Sequence, residues 1–80
     1  MGMDKTLKKS LVEYITGRMP ELTLEGHPTT LAVLYDAVQS SRHLFLALEE
    51  GNVSSVETAL AKKRVAVQRW EKVTGRAWDI

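Results

Sequence analysis

The chain has no cysteine, which excludes disulfides, thiol catalysis and cysteine-ligated zinc. Small secreted domains usually depend on disulfides, so a reducing, cytoplasmic setting is expected. No apolar run approaches the roughly 20 residues of a membrane span. The densest stretch, Leu44 to Leu48, is far shorter. Lys5, Lys8 and Lys9 are followed by no apolar block, so no signal peptide is expected. Met1-Gly2-Met3-Asp4-Lys5-Thr6 has the spacing of a myristoylation signal. It reads more simply as a cloning remnant before a start at Met3, with residues 1–3 outside the folded body. The glycines are scattered at segment boundaries, and no Gly-x-Ser-x-Gly, Walker A or Gly-x-Gly-x-x-Gly pattern occurs.

The 80 residues that are present suit one domain. A chain of this size buries only about 60% of its unfolded surface, so a partner covering apolar area would add stability. The net charge of +1 is unevenly spread. Residues 1–19 carry four basic and two acidic groups, and residues 52–80 carry six and three. Between them, Arg42 stands against Glu21, Glu25, Asp36, Glu49 and Glu50. An acidic centre between basic ends suits intramolecular pairing or head-to-tail association. It is not the profile of a dedicated nucleic-acid binder.

Periodicity predicts an all-α, three-helix domain spanning residues 1–80. A first helix is expected over about 5–16, capped by Asp4 and striped with Leu7, Leu11, Tyr14 and Ile15. Gly17 and Pro20 stop it. A connection of about 12 residues follows, which is long for a small domain. Leu22 and Leu24 are expected to tuck it onto the core, and His27 reads as a loop residue.

The second helix is expected over about 29–50, with Pro28 in its first turn and Gly51 as its stop. Leu31, Leu34, Tyr35, Val38, Phe45 and Leu48 share a face at 100° per residue. Val33, Ala37, Leu44 and Leu46 widen the arc to about half the circumference, beyond the ~100° of an ordinary surface helix. Such a helix touches two neighbours. Ser40-Ser41 allows a bend. The third helix is expected over about 55–74, with Ser54 as cap and Glu57 completing a capping box. The short Gly51-Asn52 turn makes helices 2 and 3 an antiparallel hairpin. Helix 1 packs across it or onto a partner subunit. The tail, residues 75–80, carries Trp78 and Ile80 and is expected to fold over the hairpin's open end. Ile15-Thr16-Gly17-Arg18 and Val73-Thr74-Gly75-Arg76 resemble each other. Both read as glycine-terminated helix ends, with a cation favoured by the helix dipole.

Three constellations bear on function. The leading one is a protein-interaction surface, formed by Tyr35, Val38, Arg42, Phe45, Glu49 and Trp78. Large aromatics anchor interfaces, and Arg42 and Glu49, two turns apart, would pair reciprocally along helix 2 in an antiparallel homodimer. Lys63, Arg42 and Glu49 all fall on apolar faces, where the simpler reading is that their stems lie on carbon and their charges stay wet. The second constellation is a basic stripe on helix 3, Lys62, Arg69, Lys72 and Arg76, within about 80° of arc. It would meet phosphates, but no aromatic interleaves it, and Glu57, Glu71 and Asp79 dilute its field. The third is an inter-subunit enzymatic site around His43, Asp36 and Glu50. Neither histidine has neighbours at metal-ligand spacing, and adjacent Glu49 and Glu50 point apart.

The expectation is therefore a non-enzymatic, self-associating interaction module with an accessory or regulatory role. Its partner would be a second copy or another protein. A nucleic-acid regulator is the second reading and an oligomeric enzyme the third. No cofactor, metal or membrane partner is expected. Compact size, absent cysteine and dense capping fit a bacterial or phage accessory protein.

Overall fold

The computed structural model describes residues 5–80. These form three helices: α1 (Lys5–Ile15), α2 (Pro28–Glu50) and α3 (Val53–Thr74). The expected Asp4 cap and the Met1-Gly2 segment lie outside the described residues. No strand occurs among those described, so the all-α expectation holds.

Each helix ends on a glycine at positive φ. Gly51, at φ 74°, donates its N–H to the Ala47 and Leu48 carbonyls, closing α2. The end of α1 is a complete Schellman motif: Gly17 N–H reaches Tyr14 O at 3.1 Å and Arg18 N–H reaches Glu13 O at 2.8 Å. Gly75 closes α3 on Glu71 O at 2.9 Å. The sequence echo between residues 15–18 and 73–76 is thus two left-handed caps doing the same job.

The N-termini depart from expectation. α3 begins at Val53, and its cap is Asn52, whose side-chain oxygen accepts from Ser55 N–H at 3.1 Å. The expected Ser54–Glu57 capping box is therefore not used. After left-handed Gly51, one extended residue (Asn52, φ −88°, ψ 111°) suffices to turn the chain, so the helix starts two residues earlier. His27 is a cap and not merely a loop residue: its Nδ1 accepts from Thr29 N–H at 3.3 Å. Pro28 disfavours helical backbone at the preceding residue, and this holds His27 extended at ψ 136°.

α2 and α3 pack closely as an antiparallel hairpin, whereas α1 approaches α2 alone at backbone distance. The core contains Leu11 and Ile15 of α1, Val33, Leu34, Ala37 and Val38 of α2, and Ala66 and Trp70 of α3. Alanine at Ala37, Ala47, Ala59 and Ala66 is buried, and its short side chain lets the two backbones run close. Ser41 is buried too, and donates its hydroxyl to Ala37 O at 2.8 Å.

The tail folds back as expected. Trp78 and Ile80 pack on the core. Trp78 meets Trp70 edge to face, with ring centroids 5.6 Å apart at 76°. Lys63 donates to the Ile80 main-chain oxygen at 2.9 Å, so its ammonium latches the tail onto α3. The indole N–H groups of Trp70 and Trp78 are buried without an acceptor among the described residues.

Candidate functional site

The wide arc of α2 is divided among three neighbours of its own chain. α3 takes one side. α1 takes the next, through Tyr14 and Leu11, and the connection takes part of the same face. The Tyr35 hydroxyl donates to Leu22 O at 3.4 Å and accepts from Leu24 N–H at 3.2 Å, pinning the connection to α2. Gln39 Nε2 donates to the Tyr14 hydroxyl at 2.6 Å. Arg42 Nη1 donates to Tyr14 O at 2.7 Å, and its guanidinium lies 4.8 Å from the centroid of the Tyr14 ring.

This arrangement shows where the residues expected at an interface lie within the chain. Val38 is 0% exposed, so it offers no surface to a partner and is core. Tyr35, Arg42, Phe45 and Trp78 are half-buried: the bonds just described hold Tyr35 and Arg42, and Phe45 and Trp78 pack against the core. The physical reason is the long connection, which lets α1 return onto the face that a second subunit was expected to cover. Arg42 is therefore bonded to α1, while Glu49 stays exposed.

One uncovered surface lies along the groove between α2 and α3, whose lining includes no residue of α1; Leu48 and Val53 are also exposed, outside that lining. Two open depressions adjoin in the groove and share Lys62. One is lined by His43, Leu46, Ala47 and Glu50 on α2, with Ser54, Ser55, Thr58, Ala59 and Lys62 opposite. The other is lined by Asp36 and Ser40 on α2, with Ala61, Lys62, Val65, Ala66 and Arg69 on α3. No residue of α1, the connection or the tail lines either one. Leu46 is 42% exposed and Val65 48% exposed, above a floor of buried Ala47, Ala59 and Ala66.

The charges on the two walls have opposite sign. Asp36 and Glu50 stand on α2, and Lys62 and Arg69 on α3. Among the described residues the one ion pair is Lys8–Asp79, at 3.4 Å on the surface, so none of these four is paired at salt-bridge distance. The structure therefore separates the members of the basic stripe. Lys62 and Arg69 face the groove. Lys72 is exposed outside it, and Arg76 borders a different depression with Thr30, Trp70, Val73 and Thr74. His43 and Glu50 share one depression, and Asp36 lies in the next. Among the described residues no cluster of three histidine or carboxylate groups is placed to hold a metal ion, and no helix is long and apolar enough to cross a membrane.

Sequence reasoning missed Leu46 and Val65 as the exposed apolar residues of this groove. Alanines recurring at 59 and 66 on one face, opposite Ala47, were the available signal of closely spaced helices bordering it. Comparison of the chain with protein-family models, with curated proteins and with solved structures finds no match.

Proposed function

We propose that this chain is a small, non-enzymatic helical protein–protein interaction module that self-associates in an accessory or regulatory role. The observation carrying the reading is the uncovered α2–α3 groove. It combines exposed Leu46 and Val65 with a flat alanine floor and opposed charges. Apolar side chains over a closely approachable backbone suit a helix laid into a groove. Light scattering after size exclusion, across a wide concentration range, tests it. The mass is expected to rise from 9.0 kDa toward twice that value with concentration. A mass of 9.0 kDa at every concentration overturns self-association.

Nucleic-acid binding is the second reading, supported by Lys62 and Arg69 on one wall. Asp36 and Glu50 on the facing wall oppose it, because phosphates entering the groove would meet both carboxylates. If this reading held, binding to DNA or RNA would fall steeply with salt and would be lost in Lys62→Ala with Arg69→Ala.

A further inference from the structure

We propose that the occupant of the α2–α3 groove is the same groove of a second copy, related by a two-fold axis running along the hairpin. α2 of one protomer then lies over α3 of its partner, and four helices enclose the alanine floors. The inference rests on the self-association reading and adds the surface and its symmetry.

Charge complementarity carries the argument. Two hairpins stacked face to face admit two in-plane two-fold axes. An axis along the helices sets the acidic α2 wall of each copy against the basic α3 wall of the other. An axis across the helices sets α2 on α2, bringing Asp36 toward the partner's Glu50, acid against acid. Like charges directly opposed in an interface are strongly unfavourable, so the first axis is favoured.

Register supports the same choice. Counting away from the Gly51-Asn52 turn in an antiparallel hairpin sets Asp36 level with Val67, about 3 Å of helical rise from Arg69, and Glu50 level with the first turn of α3. Both relations agree with the residues that border each depression. An axis along the hairpin preserves level. Asp36 therefore comes within about 3 Å of helical rise of the partner's Arg69, within reach of its long side chain, and Glu50 meets the start of the partner's α3, where free backbone N–H groups favour an anion. Leu46 and Val65, one on each wall, gain apolar cover. No residue of α1 or the tail lines the groove.

The test uses the whole chain with Asp36→Arg and Arg69→Asp, each alone and then mixed in equal amounts. Both residues are exposed, and the circular dichroism of each variant is expected to match the parent. Each single variant sets like charges together at two symmetry-related places, and its dimer dissociation constant is expected to rise on the order of a hundredfold. Mixing the two variants restores opposite charges between chains, so the mixture is expected to regain the dimer that neither forms alone. Attraction within one chain cannot produce that rescue. If either variant loses helicity, Asp36→Asn and Arg69→Gln give the same comparison with a smaller weakening.

Three outcomes overturn the inference, and they are distinguishable. A parent chain that is monomeric throughout removes self-association itself. A parent dimer unaffected by both single variants keeps self-association but places it on another surface. A dimer tightened by Asp36→Arg selects the axis across the helices, and the wall-to-wall pairing is then wrong.

Discussion

The guanidinium of Arg42 adds a second donor to the Tyr14 carbonyl, which already accepts from Gly17 N–H at the negative end of the α1 dipole. It also lies over the ring of the same residue, Tyr14. One side chain thus holds both the backbone and the ring of α1 against α2. Arg42→Ala is expected to destabilise the fold by about 1.5–3 kcal/mol, the range for hydrogen bonds to charged groups. Arg42→Lys should recover part of this, since an ammonium still donates but lacks the planar face that stacks. Urea unfolding at a concentration where the chain is monomeric measures both. An unchanged midpoint for Arg42→Ala would mean that Leu11, Ile15 and the Tyr14–Gln39 hydrogen bond dock α1 without it. The sequence marked Arg42 as unusual, because a charge stood on an apolar arc. It did not identify the partner, because Tyr14 is 28 residues away and helical periodicity carries no information across a connection.

At the scale of helices, legibility divides between stops and starts. Gly17, Gly51 and Gly75 were readable as stops because left-handed backbone restricts the choice of residue so strongly. Starts are degenerate: Asn52 and Ser54 are both good caps, and only the geometry leaving Gly51 selects between them. Asn52→Ala is therefore expected to cost about 1 kcal/mol. Ser54→Ala, at an exposed helical position, should change stability by less than about 0.5 kcal/mol. Thermal unfolding of the two variants side by side checks the assignment, and the reverse order would restore the capping box. The groove was illegible for a related reason. Periodicity shows that Val38 and Leu46 are both apolar residues of α2, but not which is covered. Val38 lies under the core and Leu46 borders open solvent only because α1 is short and docks where Tyr14 meets Gln39 and Arg42.

The whole molecule is a long hairpin with a short helix laid on one side. α1 has 11 residues, below the ~12–15 at which isolated helices become even marginal in water, so its helicity depends on docking. Its central amides are expected to exchange with solvent at least about tenfold faster than those at the centres of α2 and α3, measured by native-state hydrogen exchange. Equal protection would show that the three helices open only together. The edge-to-face contact of Trp70 and Trp78 gives the molecule another property. These are the chain's two tryptophans, and both stand where the tail meets the end of α3. Intrinsic ultraviolet emission therefore originates from one corner of the protein. Its colour should report the tail leaving its seat and also the loss of α1, since Leu11 and Ile15 share one core cluster with Trp70 and Lys8 pairs with Asp79 of the tail; a titration followed by fluorescence would watch that seam, and one followed by far-ultraviolet dichroism the helices as a whole.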